Sequence, residues 1–262
     1  MMKSSEQIFK KGQQTEIVSE KPRIELTEEE VQNKLSRLGD ITYEWAYELT
    51  KKLERPFDLK TIIVLARLVI KLERDLPTYD TILSDDASGR LPSLFLRKII
   101  NHVRSKTGQG AVKTYFLASG SHNKIEKDEA IERFLVDKKK EITKALVVTE
   151  YITTGNTIMN IMKLLTDIGI DFDVACVSAE EGPGHYIREF GDIFKKIRCG
   201  ESFSTAGLSF FSERDIVGGV EKKDGSLSPH PEIVTPTDRT RLIRAREDAN
   251  FLANEFINKL LD

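Results

Sequence analysis

Apolar positions recur along this chain at two spacings, helical in its first third and strand-like in alternation with helical beyond it. Residues 1–23 keep no period and are rich in Lys, Gln, Ser and Glu, which predicts a mobile tail that carries none of the fold. Thr27-Glu-Glu-Glu30 before Val31 has the form of a capping box, and from there to Leu53 the pattern predicts one long helix, or two broken near Gly39-Asp40. Asp58 can cap a second helix, Leu59 to Leu72, which is apolar on nearly every face through Ile62, Ile63, Val64, Leu65, Leu68, Val69 and Ile70. A helix apolar all round is buried between layers. Residues 24–76 are therefore expected to form a helical subdomain packed on the core, and 77–262 an α/β domain with a C-terminal extension. Tyr43 with Tyr47, and Trp45 with Leu49, stand at i and i+4 on two helix faces and are read as packing pairs rather than a platform for stacking bases.

From Tyr79 onward the period alternates. Strands are predicted near Thr81–Ser84, at Val112–Ala118, around Leu146, Val147 and Val148, and at Phe172–Ser178. Helices fall between them, at Pro92–Arg104, near Asp128–Val136, and through Ile158, Met159, Ile161, Met162, Leu164 and Leu165 to Gly169. Strand-helix alternation predicts an α/β fold, a doubly wound parallel sheet with right-handed crossovers. After Cys199 the period weakens, with Gly200, Gly207 and Gly218-Gly219, and Ser228-Pro-His-Pro231 forbids a regular helix. Ile216–Val220 reads as a short strand. A terminal helix is expected from Thr240 to Leu261, with Leu242, Ala245, Ala249, Leu252, Phe256 and Leu260 on one stripe.

Composition narrows the class. With 262 residues the chain can bury one sizeable core, and 40 basic against 42 acidic residues leave a formal charge of −2, so nothing draws it globally to nucleic acid or an anionic membrane. The longest nearly apolar stretch, Ile62 to Ile70, is broken by Arg67 and falls far short of the ~20 residues that span a bilayer. The first residues lack the apolar core of a signal peptide, so a cytoplasmic location is expected. The cysteines, Cys176 in a predicted strand and Cys199 beside a glycine, fit no CxxC or zinc spacing and are read as reduced. The Arg239-to-Arg246 cluster is read as a solvated helix face.

Candidate chemistry concentrates where strands end. The run Ala145 to Thr157 stops at a carboxylate, Glu150, and passes through Thr153, Thr154, Gly155, Asn156 and Thr157 into a helix. At such a junction the first N–H groups of the helix lack partners and carry the positive end of its dipole, so an anion binds there without a basic side chain. The threonines add hydroxyl donors, Gly155 admits a close backbone approach or a positive φ, and Glu150 offers a carboxylate for sugar hydroxyls or a hydrated cation. A hydroxyl-capped turn of an ordinary α/β protein has the same composition, and that alternative stays open.

The segment resembles the 5-phosphoribosyl-1-pyrophosphate (PRPP) motif of type I phosphoribosyltransferases, in which two acidic residues and two apolar residues precede a Thr-Thr-Gly-x-Thr-like loop. Glu150 matches the second acidic position, Tyr151 and Ile152 the apolar pair, and Thr153 to Thr157 the loop; Thr149 stands where the first acidic residue is expected. The resemblance implies that Thr153–Thr157 cradle the 5-phosphate and that Glu150, a catalytic-site residue, contacts the ribose. It further implies that the loop Ser84 to Pro92 holds diphosphate through Ser88, Gly89 and Arg90, with Arg90 supplying charge. Asp85 and Asp86 are candidates for a Mg²⁺ that bridges the diphosphate, taking over part of the duty left by Thr149. The competing reading has Asp85 capping the next helix and Asp86 paired with Arg90 at the surface. His122 and Lys124, in Ser119-Gly-Ser-His-Asn-Lys124, occupy the place of a lid, although a solvated loop explains them too. Glu180 to Tyr186 is a candidate wall for an acceptor or only a turn.

The expected function is thus binding of PRPP or a phosphoribosyl nucleotide, and transfer of phosphoribose to a nitrogenous base-like acceptor that the sequence does not identify, with Mg²⁺ as cofactor. Dimerisation is implied by the family alone. A regulatory binding protein on the same fold, without transferase activity, is the main alternative. A hydrolase built on Asp85 and Asp86 is weaker, since adjacent residues lack the Asp-x-Asp spacing, and no nucleotide P-loop sequence occurs.

Overall fold

The computed structural model describes residues 44–53, 57–85, 89–117, 124–152, 155–180, 195–203, 220–221, 232–233 and 236–261. The expected tail, the Thr27 capping box and Tyr43 lie outside them. Residues 44–50 form the first described helix, α1. The order that follows is α2 (Leu59–Leu72), β1 (Thr81–Asp85), α3 (Arg90–Lys106), β2 (Lys113–Leu117), α4 (Lys124–Lys138), β3 (Lys144–Ile152), α5 (Asn156–Ile168), β4 (Asp171–Glu180) and β5 (Ile197–Phe203). A two-residue pair, β6 (Val220–Glu221) and β7 (Glu232–Ile233), and a last helix, α6 (Pro236–Phe256), complete it.

Strands β1 to β5 make one sheet in the order β2-β1-β3-β4-β5, and every neighbouring pair is parallel. The fold is α/β with helices on both faces. Leu146 and Val148 of β3 belong to a core shared with Leu65, Leu68 and Val69 of α2, Phe95 and Ile99 of α3, and Ala249 and Leu252 of α6. Ala145 and Val147, pointing the other way, join Ile131 and Leu135 of α4 and Ile158, Ile161 and Leu165 of α5. A strand covered on both faces has no polar side to keep, which is why β3 reads as an unbroken apolar run.

Local chemistry sets the helix ends. Asp58 Oδ1 accepts from the Thr61 N–H at 2.8 Å, the N-cap anticipated for α2. Gly169 ends α5 at φ +74°, a left-handed position that takes two backbone bonds to the last turn. The terminal helix starts four residues earlier than expected, at Pro236, where a proline gives up no hydrogen bond and its φ suits a helix. Its end widens into a π-turn at Ile257–Leu261. Phe256 packs edge-on to Phe95 at 5.1 Å and against Trp45 at 5.3 Å, so α6 closes the α3 side and ties α1 to it.

Two expectations need correction. Tyr47 is not a packing residue: it is 50% exposed, and the Lys51 ammonium stands over its ring. The face that buries Ala46 and Leu49 turns Tyr47 outward. The second correction is β5, which the weak period after Cys199 conceals. Gly200 interrupts its pattern because a side chain there would collide: a Cβ would lie 2.6 Å from Val64 O and 2.7 Å from Val177 O. Val220 is paired with Ile233 as an antiparallel strand position. Residues 216–219 of that expected strand lie outside the described residues.

Candidate functional site

In a sheet of this topology, ligands bind outside the carboxyl ends of the strands, where the chain turns from strand to helix. Among the described candidates, Glu150, Gly155, Asn156, Thr157, Asp85, Gly89 and Arg90 lie at or next to that edge. β3, at the centre of the sheet, does not end at Glu150 as its sequence suggests. It runs on to Ile152, because Tyr151 pairs with Ser178 and Ile152 with Ala179 of β4. Glu150 is therefore a strand residue, 1% exposed, and not a loop carboxylate.

Beyond Ile152 and the undescribed Thr153 and Thr154, Gly155 takes φ +76° and ψ −5° and caps α5. A Cβ there would meet only Ile152 Cγ2 at 3.7 Å and Met159 Cγ at 3.8 Å, so the dihedral rather than space calls for glycine. The Gly155 carbonyl accepts from Met159 N–H at 2.8 Å, which starts the helix. Asn156 is exposed and Thr157 partly exposed, while Ile158 and Met159 anchor the turn in the core. Among the described residues no side chain caps the helix. The first backbone N–H groups of any α-helix lack partners inside it, and here they open toward the edge of the sheet.

Next to it, β1 and α3 present the second loop. Gly89 is the N-cap of α3, and its carbonyl accepts from Ser93 N–H at 2.9 Å. Arg90 is 2% exposed, and its guanidinium carbon lies 4.4 Å from the centroid of Phe116 near the end of β2. Arg90 is thus a buried side chain rather than a surface one, and Asp86, weighed as its partner, lies outside the described residues. Ser84 pairs with Val148 and is the last β1 residue in register with β3; Asp85 and Thr149 are the next positions of the two strands. This juxtaposition of Asp85 with the missing acidic position of β3 could not be read from the sequence. Asp86, Ser88 and His122 lie outside the described residues, as do residues 181–186 of the expected acceptor wall; Lys124 is the first residue of α4 and Glu180 the last of β4.

The structure adds residues that the sequence did not single out. Thr149 and Ser178 are 0% and 1% exposed, and neither hydroxyl has a hydrogen-bond partner among the described residues. Tyr151, Ser178 and Glu201 occupy one row across β3, β4 and β5 at the carboxyl edge. Lys60, in the first turn of α2, stands 3.4 Å from the Glu201 carboxylate. Only the recognition of β5 could have exposed this row. On α6, Arg241 and Arg244 are exposed, in keeping with a solvated basic face. Among the described residues no helix is long and apolar enough to cross a membrane.

No protein-family model matches the chain, and no curated protein matches it in sequence. Among solved structures it is similar to orotate phosphoribosyltransferase from Aeropyrum pernix, with 14% identity and a TM-score of 0.33 over 55% of this chain and 71% of that one. A TM-score of that size carries no argument about chemistry, so the functional reading rests on the residues of the carboxyl edge.

Proposed function

We propose that the protein binds PRPP or a phosphoribosyl nucleotide at the carboxyl edge of β3 and transfers phosphoribose to a nitrogenous base-like acceptor with release of pyrophosphate. One observation carries this reading: an extended β3, a left-handed Gly155 and the opening of α5 at Asn156 follow one another within a few residues at the centre of a parallel sheet. That succession makes a phosphate cradle out of backbone N–H groups, to which Thr153, Thr154 and Thr157 add hydroxyls.

In this reading the 5-phosphate sits on residues 153–157, and Glu150 receives the ribose hydroxyls from within the strand. Gly89 and Ser88 give the diphosphate backbone and hydroxyl donors. Arg90, held against Phe116, supplies fixed positive charge as the leaving group gains electrons. Loss of pyrophosphate builds positive character at the anomeric carbon, so water must be kept away until the acceptor attacks. Closure of the segment that carries His122 and leads into Lys124, the first residue of α4, would do that.

Among the described residues no three His, Cys, Asp or Glu side chains converge to cage a metal. In this proposal Mg²⁺ arrives with the diphosphate and needs only one or two carboxylates, for which Asp85 and Asp86 are the candidates. When bound, it neutralises the developing diphosphate charge.

One observation favours a second reading, a phosphoribosyl sensor without transferase activity: the first acidic position of β3 is Thr149, whose hydroxyl is buried and has no hydrogen-bond partner among the described residues. The test is a thermal-shift series with PRPP, ribose 5-phosphate, a purine and a pyrimidine nucleoside monophosphate, and inorganic phosphate. A ligand at a hundredfold excess over its Kd adds about 2.7 kcal/mol of stability. Stabilisation by the phosphoribosyl ligands above inorganic phosphate supports both readings, and pyrophosphate release with an added base selects the transferase. No stabilisation by any phosphoribosyl ligand removes both.

A further inference from the structure

Residues that the sequence keeps 23 positions apart are brought side by side by the sheet: Cys176 of β4 and Cys199 of β5 are direct register partners. Both are free thiols, Cys176 fully buried and Cys199 partly exposed on the outermost described strand. Register partners in neighbouring strands point to the same face and lie about 4.8 Å apart, within the roughly 4.4–6.8 Å between Cα atoms that a disulfide spans. We propose that Cys199 is an oxidation site for peroxide-class oxidants and that Cys176 resolves it, closing a reversible disulfide between β4 and β5.

The two thiols differ in the way such a sequence of steps requires. Burial, and then its hydrogen bond to Cys199, push the Cys176 thiol well above its ordinary range, so it keeps its proton. That proton has acceptors nearby in Ser178 O, 2.9 Å from Sγ, and Glu150 O at 3.9 Å. Cys199 is held below the ordinary thiol range by the hydrogen bond from Cys176, against the opposing effect of burial and with help from the Lys71 charge. Of the two it is the sulfur that ionises more readily, and it is also the one solvent reaches. Thiolate character together with exposure is what makes a cysteine sensitive to oxidation.

The steps balance. The Cys199 thiolate attacks one oxygen of the peroxide, the O–O bond breaks, and a sulfenic acid forms with release of hydroxide. Cys176 sulfur then attacks the sulfenic sulfur; the S–S bond forms, the S–O bond breaks, and the departing hydroxyl leaves as water with the Cys176 proton. Two thiols are oxidised by two electrons and one peroxide is reduced to two waters. Since Thr149 pairs with Cys176, the bridge lies in the row that contains the unmatched position of the candidate site. The inference does not rest on the function proposed above.

The test treats the full chain at low micromolar concentration with hydrogen peroxide, alkylates the remaining thiols under denaturing conditions and maps peptides by mass spectrometry without reduction. The expected result is a monomer lighter by two hydrogens, with the Cys176 and Cys199 peptides joined, and full recovery of both alkylated thiols after dithiothreitol. In Cys176→Ser, a dimedone adduct is expected on Cys199 instead. Cys199→Ser should leave Cys176 alkylatable after the same treatment. Two alkylatable thiols in the peroxide-treated wild type, or joined peptides found only in a covalent dimer, would overturn the proposal.

Discussion

Gly200 of β5 touches the backbone of Val64 of α2: a Cβ on the glycine would lie 2.6 Å from the Val64 carbonyl oxygen. The contact lets a helix apolar on nearly every face lie flat on the far end of the sheet. Val64 and Leu65 are at most 4% exposed there. A methyl group at position 200 cannot be accommodated by a side-chain rotation, because two of the colliding atoms are backbone carbonyl oxygens. Gly200→Ala is expected to cost about 1–3 kcal/mol, the range for overpacking a close-packed interior. Urea unfolding checks it: the midpoint should fall with the m-value unchanged. An unaltered midpoint would mean that α2 does not rest on β5.

Tyr79 sets an alkaline limit. Its hydroxyl donates to Asp173 Oδ2 at 2.9 Å, and the same oxygen receives the Lys144 ammonium at 2.7 Å. Burial, followed by the charges of Asp173 and Asp75 and the hydrogen bond itself, holds the phenol far above its ordinary range. An unfolded tyrosine ionises near pH 10, so above that pH the unfolded chain binds fewer protons than the native one. Stability contributed here is whole below about pH 10 and falls above it by about 1.4 kcal/mol per pH unit. Tyr79→Phe should lose that additional slope while starting less stable at neutral pH. Equal slopes of stability against pH in the two proteins, between about pH 10 and 11, would show that the phenol is not confined.

At Gly155 the backbone itself is the prediction. Any other residue at φ +76° pays the left-handed penalty, so Gly155→Ala should lose about 1–2 kcal/mol even though its Cβ has room. Gly155→Asn should lose less, since asparagine tolerates that region. Equal losses for the two substitutions, by thermal denaturation, would point to a steric cause instead.

The cap of α2 makes a simpler case. Asp58→Ala removes the acceptor of the Thr61 N–H and should cost about 1 kcal/mol, with Asp58→Ser recovering most of it. If serine recovers nothing, the aspartate acts through its charge alone.

What could be read in advance depended on whether a residue's surroundings were local. Asp58, Gly169 and the bounds of α2 were legible because caps and helical period are written within a few residues. The succession of β1, β2, β3 and β4 along the chain was legible because each has its own apolar run, whereas their order in the sheet was not. β5 was not, since Gly200 is dictated by Val64, far away in sequence. The reach of β3 past Glu150 was hidden for the same reason: Tyr151 and Ile152 are extended by pairing with β4. The neighbouring positions of Asp85 and Thr149, and of Cys176 and Cys199, exist only once the register is known. Within residues 153–157 Gly155 was legible, because its dihedral is a local property, whereas the burial of Arg90 against Phe116 was not.

The central claim is a phosphoribosyl site on residues 153–157, and calorimetric titration with PRPP, with and without Mg²⁺, tests it most directly. Thr154→Ala is titrated beside the wild type, and its circular dichroism confirms that the fold is kept. The account predicts Mg²⁺-strengthened binding by the wild type and a loss of at least about tenfold in the variant, the equivalent of one hydrogen bond to a charged group. Absence of PRPP binding by the folded wild type, or equal affinity in the Thr154→Ala protein, would contradict it.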